Sequence, residues 1–182
     1  MRDCIFDLET DGLNPFTNRI TVIGYKFVEY SENGLGRVIS PEETVVISDE
    51  SEEKLIKTFW EEFRKHRAER LTGFNCAEFD YPFILFRSLV HNIRGVSLFG
   101  YDDLLDLRPL AHGRKRLYGA RPTGNLGDIC SVLGIEHDGS MSGKMMVEAW
   151  LQGDVPLILA HCKDDVDSTY QLYKRMWECG FI

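Results

Sequence analysis

The chain has 182 residues, of which 43% are hydrophobic and 27% charged, and its formal net charge is −8. This composition is typical of a globular protein, and we expect a single domain spanning residues 1–182. The acidic balance argues against a protein that coats nucleic acids with a basic surface, but it is compatible with an enzyme built around an acidic metal centre. No apolar run reaches the length of a membrane helix.

The cysteines indicate a reducing compartment. All five are scattered along the chain without a C-x-x-C pair, which argues against a disulfide framework and against a structural zinc site. The first residues enter an apolar segment directly, so we expect no signal peptide. Together these features predict a cytoplasmic protein.

Strand patterns dominate the first half of the chain. Residues 5–10 form an apolar run that ends in acids, which is typical of a buried strand. Further runs of β-branched and aromatic residues predict strands at 20–30, 37–47, 71–74 and 96–99. The strand at 37–47 should be interrupted near Pro41, and the short spacing of the first three strands suggests an antiparallel meander.

Helical spacing of apolar residues, together with capping residues, predicts the helices. They are expected at 51–67, from Asp80 onward, at 125–133, at 142–152 and at 154–177. Residues 108–121 instead form a basic segment whose glycines indicate a loop. Such a segment is commonly a solvated surface, although in an acidic chain it would also suit phosphate contacts.

Two acids at the end of the first strand suggest a metal site. Asp7 and Glu9 are two residues apart, so they project from the same face of the strand. Neighbouring carboxylates repel one another, and a divalent cation held by oxygen ligands would relieve that repulsion. Taken alone, such a pair more commonly marks a strand edge with two solvated acids.

Further acids occur in distant segments of the chain. Asp80 opens a predicted helix, where it could serve simply as a cap. His161 and Asp165 are four residues apart on the last helix and share a face, which also fits a surface pair. Combined with Asp7 and Glu9, these positions could meet in one cleft. Four carboxylates around two divalent ions would suit in-line cleavage of a phosphodiester.

Three segments resemble, in chain order, the motifs of the DEDD (DnaQ-like) 3′–5′ exonucleases. They are Phe-Asp-Leu-Glu-Thr-Asp-Gly-Leu at 6–13, Gly-Phe-Asn through Phe-Asp-Tyr-Pro-Phe at 73–83, and His-Cys-Lys-Asp-Asp-Val at 161–166. The second is especially similar to the proofreading domain of family B DNA polymerases. The resemblance spans nearly the whole chain and implies a stand-alone domain with the ribonuclease H-like α/β fold. That fold has a mixed five-stranded sheet with an antiparallel second strand, flanked by helices.

The resemblance also implies roles for individual residues. The metal ligands would be Asp7, Glu9, Asp80 and Asp165, holding two ions of Mg²⁺ or Mn²⁺. The residues implied to bind the substrate are Thr10 (through its backbone), Leu13, Asn75 and Phe79.

The third motif departs from the family pattern. One branch of the family has Tyr-x-x-x-Asp, and here His161 stands at the tyrosine position relative to Asp165. The other branch has its histidine five residues before the aspartate, where this chain has Ala160. His161 is therefore implied in the tyrosine's place, as a general base whose ordinary pKa is about 6.5. Asp164 competes with Asp165 for the ligand role, and the following valine favours Asp165.

These features predict a 3′–5′ exonuclease acting on the 3′ end of single-stranded DNA or RNA, with DNA favoured and little dependence on base sequence. One alternative is an exoribonuclease or oligoribonuclease with the same centre, since the two substrates differ at the 2′-hydroxyl. Another is a nucleic-acid-binding module without catalytic activity, which the unusual third motif would favour.

Overall fold

The structure is a computed structural model that describes residues 2–30, 38–96, 103–111, 124–139 and 141–182. The strands in these ranges are β1 Arg2–Thr10, β2 Ile20–Tyr30, β3 Val38–Pro41, β4 Val45–Ser48, β5 Arg70–Gly73 and β6 Leu104–Asp106. The helices in the same ranges are α1 Glu52–Lys65, α2 Asp80–Val90, α3 Leu107–Ala111, α4 Leu126–Leu133, α5 Gly143–Gln152 and α6 Val155–Glu178.

The strands form one mixed sheet in the order β3-β2-β1-β5-β6, with β4 also paired to β2. β1 runs antiparallel to β2 and parallel to β5, and β5 runs parallel to β6. This confirms the predicted mixed sheet, which has five strand positions side by side and an antiparallel second strand. The outer position beside β2 is shared by β3 and β4, because the strand predicted over 37–47 divides after Pro41. Proline has no N–H to continue the ladder.

β1 lies at the centre of the sheet and is covered on both faces. Phe6 packs with α1 residues Phe59 and Trp60 in one core cluster. Ile5, on the opposite face, shares a second cluster with Val166 and Tyr173 of α6. Burial on both sides explains why the segment has a continuous apolar pattern instead of a clean alternation. Because Asp7 and Glu9 share the face of Ile5, they project toward α6.

Gly24 of β2 allows α6 to approach the sheet. It pairs with Asp7 across the ladder, so both positions lie on the face that α6 covers. A Cβ at Gly24 would lie 2.7 Å from Cys162 Sγ and 2.9 Å from a methyl group of Val166. Both of these α6 residues are fully buried. The missing side chain therefore determines how close the helix sits to Asp7.

The helix boundaries follow the capping residues predicted from the sequence. The Ser51 side chain accepts a hydrogen bond from Lys54 N, and Asp154 accepts one from Leu157 N. Asn125 and Asp128 form a reciprocal capping box at the start of α4. None of the described helices is long and apolar enough to cross a membrane.

Two predictions for the region after α2 need correction. Val96 belongs to no strand, and the rest of the strand predicted at 96–99 lies outside the described residues; the last strand is instead β6. Residues 107–111, predicted in part as a basic loop, form the short helix α3, which includes Arg108. Residues 112–123 lie outside the described part of the chain.

Replacement of Gly24 by alanine should destabilise the protein. The added methyl would overlap Cys162 and Val166, and overpacking of this kind costs about 1–3 kcal/mol of unfolding free energy. Gly143→Ala is a matched control, because nothing lies within 4 Å of the added group at the start of α5. It should be neutral or stabilising by up to about 1 kcal/mol. Denaturant unfolding of both variants tests this packing, and equal stabilities would contradict it.

Candidate metal centre

Four carboxylates from three elements meet beside the end of β1. Asp7 and Glu9 come from β1, Asp80 is the first residue of α2, and Asp165 lies in the middle of α6. Glu9 and Asp80 are 8% and 4% exposed, so these charges are largely removed from water. The charges of Asp80, Asp165 and Glu9 all act on Asp7, so the structure brings together the four predicted ligands, each carried by a strand or a helix.

Asp80 is directed at β1 by the loop that precedes it. Its Oδ1 accepts a hydrogen bond of 3.1 Å from Leu8 N. The position before it, Phe79, is the N-cap of α2, so the alternative of Asp80 as a simple helix cap does not hold. Gly73 allows the close turn after β5, since a Cβ there would lie 2.7 Å from Cys76 Cβ.

Asp165, rather than Asp164, faces the other carboxylates. The negative charge of Asp165 raises the pKa of both Asp7 and Glu9. Asp164 is turned toward the loop after α4, where it accepts a hydrogen bond of 2.8 Å from Asp138 N and lies 2.9 Å from His137 Nδ1. Asp165 therefore lies between the other carboxylates and His137, whereas Asp164 is bonded on the side of the loop.

Burial and mutual repulsion favour the protonated forms of these acids. Burial raises the pKa of Asp7 well above its ordinary value, and Asp80, Asp165 and Glu9 raise it further. Burial likewise raises the pKa of Glu9 to about 8, that of Asp80 to about 7 and that of Asp165 to about 6. Near neutral pH these acids accumulate negative charge that the protein alone does not neutralise.

This centre fits an oxygen-preferring divalent cation. Asp165 Oδ1 is buried and has no hydrogen-bond partner among the described residues. Ligand atoms of Asp7, Glu9 and Cys162 lie within 4.8 Å of one another. Burial raises the pKa of the Cys162 thiol, so it remains protonated and serves as a packing group. The remaining donors are carboxylate oxygens, the ligands that Mg²⁺ and Mn²⁺ prefer.

His161 lies against two of the predicted ligands. Its Nε2 is 3.8 Å from Glu9 Oε1 and 3.8 Å from Asp165 Oδ2. Burial lowers the pKa of His161, while the charges of Asp164 and Asp138 oppose that shift. The imidazole is therefore mainly neutral at neutral pH and able to accept a proton, as a general base requires.

The residues predicted to bind substrate are distributed around this centre. Leu13 is 80% exposed in the loop after β1, so its side chain is accessible to a ligand. The Thr10 hydroxyl donates to Gly12 O at 2.7 Å, and the residue pairs with Ile20 at the end of the ladder between β1 and β2. Phe79 is half-buried, with its ring 5.5 Å from that of Phe83. Asn75, at the carboxyl end of β5, is bonded to Arg108.

The structure adds two residues that the sequence analysis did not assign. Asp106 accepts hydrogen bonds from the backbone N–H groups of Asn75 and Ala77, and its charge raises the pKa of Asp80. Its position at the carboxyl end of the strand Leu-Leu-Asp was a usable signal, because the carboxyl ends of parallel strands share one edge of a sheet. His137 lies 3.8 Å from Asp165 Oδ1, and no local pattern indicated that contact.

Without metal, the protein should lose stability as the pH rises from about 4 to about 8. The lower limit is the ordinary pKa of these acids, and the upper limit is the pKa of Glu9 in the folded protein. The folded state holds the protons more tightly than the unfolded state does, so the free energy of unfolding falls as they are released. Thermal unfolding in EDTA across this range measures the slope. Added Mg²⁺ or Mn²⁺ should stabilise the protein more at the alkaline end.

Substitution of single acids tests whether these carboxylates cause the pH dependence of stability. Asp7→Asn should flatten the pH dependence, stabilise the metal-free protein at the alkaline end and weaken stabilisation by metal. Glu53→Gln removes an exposed acid from the first turn of α1 and should leave the slope unchanged. Identical slopes for wild type and Asp7→Asn would contradict the account.

Comparison with known proteins supports this fold. A solved family B DNA polymerase from the archaeon Pyrobaculum calidifontis superposes with a TM-score of 0.73 at 17% sequence identity. The match covers 97% of this chain but only 24% of the polymerase, so the chain spans about a quarter of that protein's length. At this identity the likeness concerns the fold alone.

Sequence comparison assigns the family. An uncharacterized protein of Methanocaldococcus jannaschii, MJ0365, is 34% identical over 190 residues, which cover 100% of this chain and 99% of the relative. The family model of the RNase_H superfamily matches residues 4–177, which is nearly the whole chain. The chain therefore belongs to the RNase_H superfamily.

Proposed function

We propose that the protein is a metal-dependent 3′–5′ exonuclease that hydrolyses phosphodiester bonds at single-stranded nucleic-acid ends, with DNA the favoured substrate. The observation that carries this proposal is the convergence of Asp7, Glu9, Asp80 and Asp165 within a ribonuclease H-like fold. Membership of the RNase_H superfamily supports nuclease activity in general. The similarity of residues 73–83 to a polymerase proofreading domain supports the 3′–5′ direction and DNA.

The chain would use its own groups to hold and deprotonate the reactants. Two ions of Mg²⁺ or Mn²⁺, when held by the four carboxylates, would supply the Lewis acidity for attack by water and for departure of the 3′ oxygen. His161 is placed beside Glu9 and Asp165, where its neutral imidazole would accept the proton of the attacking water.

The loop after β1 offers contacts for bases. Leu13 and Phe16 are 80% and 73% exposed, and the Phe16 ring lies 4.5 Å from that of Phe86. Glu9 and Thr10 lead directly into this loop, so apolar side chains lie next to the carboxylates along the chain. Stacking on such groups holds single strands without reading base identity, which supports sequence-independent cleavage.

A cleavage time course tests the reaction. Single strands of DNA and RNA, protected at either the 3′ or the 5′ end, would be incubated with Mg²⁺, Mn²⁺ or EDTA. We expect metal-dependent shortening from an open 3′ end, release of mononucleotides and faster cleavage of DNA. No cleavage by folded protein with either metal would reject the proposal, and cleavage of RNA alone would point to the exoribonuclease.

Two substitutions separate the expected roles. Asp7→Asn should lower kcat by at least roughly a hundredfold, since it removes a ligand from metals that provide several kcal/mol of transition-state stabilisation. His161→Ala should also lower kcat by at least roughly a hundredfold, with KM little changed and the pH dependence of kcat altered. Gln171→Ala, an exposed site on α6, is the control. A wild-type pH profile in His161→Ala would contradict its role as base.

A further inference from the structure

Arg108 fixes the orientation of the Asn75 side chain. A guanidinium nitrogen of Arg108 donates to Asn75 Oδ1 at 2.7 Å. Arginine has five donors and no acceptor, so the Asn75 atom facing it must be the amide oxygen. The amide nitrogen of Asn75 is therefore directed elsewhere, and it has no hydrogen-bond partner among the described residues.

Asp106 fixes the backbone of the same loop. Asn75 has a φ of +63°, a left-handed conformation that asparagine tolerates better than most residues. Asp106 holds this turn through the N–H groups of Asn75 at 2.8 Å and Ala77 at 3.1 Å. Asp106 also accepts from Arg108 N at 3.0 Å, so one carboxylate joins the turn to the start of α3.

The loop that carries this amide leads directly to the carboxylate centre. Asn75 O accepts a hydrogen bond of 3.2 Å from Phe79 N, and the next residue is Asp80. Asp106 is close enough to raise the pKa of Asp80.

We propose that Arg108 is a positioning residue for substrate: it holds the Asn75 amide so that the amide nitrogen donates a hydrogen bond to an oxygen acceptor of the nucleic acid. This inference rests on the proposed function, because it takes a nucleic-acid strand as the ligand. It also assigns a role to one arginine of the basic segment. A purely structural Arg108 would affect stability but would leave KM unchanged.

The anchoring can be measured without nucleic acid. Asn75→Gly removes the amide but keeps a residue that tolerates positive φ, and it is combined with Arg108→Ala in a double-mutant cycle of unfolding. Each single variant should raise the equilibrium constant of unfolding by roughly three- to tenfold. The double variant should raise it by no more than the larger of these two changes. Changes that multiply in the double variant would overturn the anchoring.

The binding role is tested with a single-stranded DNA oligonucleotide and Mn²⁺. Asn75→Gly and Arg108→Ala should each raise KM by roughly tenfold with little change in kcat, and their combination should add nothing. Asn75→Asp retains an oxygen for Arg108 but loses the amide donor. It should therefore remain folded and stable while its KM rises as much as that of Asn75→Gly. Arg175→Ala removes an exposed arginine on α6 and controls for lost charge.

The outcomes separate this inference from the proposed function. A wild-type KM in Asn75→Asp, or multiplicative KM losses in the double variant, would overturn the positioning role while leaving exonuclease activity intact. A wild-type protein that neither cleaves nor binds the oligonucleotide would overturn the proposed function, and with it the substrate contact. The unfolding cycle would still decide whether Arg108 anchors Asn75.

Discussion

Repulsion among buried and half-buried carboxylates is the constraint on which this structure depends. Asp7, Glu9, Asp80 and Asp165 come from three elements, and burial together with their neighbours raises the pKa of each. An arrangement that is unfavourable for the protein alone requires a rigid frame. The central strand β1, buried on both faces, provides that frame, and Gly24 lets α6 approach it closely. The four carboxylates thus destabilise the protein at the site where a cation can bind.

Different groups position the carboxylates and the loop that carries Asn75. Leu8 N holds Asp80, His161 lies between Glu9 and Asp165, and Asp164 is occupied with His137 and Asp138. On the other side, Asp106 and Arg108 fix the turn that carries Asn75. The predicted metal ligands therefore sit on strands and helices, whereas Leu13 and Asn75, which are proposed to contact substrate, sit on loops at the same edge of the sheet. This separation lets loop residues vary without moving the four carboxylates.

Sequence patterns predicted the parts of the site that depend on local periodicity. The two-residue spacing of Asp7 and Glu9 and the four-residue spacing of His161 and Asp165 each define a shared face, and the structure has both. Short elements were harder. β6 has three residues and α3 has five, too few to show a period, so both were missed. The contacts of His137 with Asp164 and of Arg108 with Asn75 join distant segments, and only the tertiary fold reveals them.

The most direct test of the central claim is a calorimetric titration of Mn²⁺ into the metal-free protein in the presence of thymidine monophosphate. If the four carboxylates form the metal centre, two ions should bind per chain, with proton release near neutral pH and with binding strongly reduced in Asp7→Asn. A protein that binds no Mn²⁺, or binds it equally well after that substitution, would contradict the account.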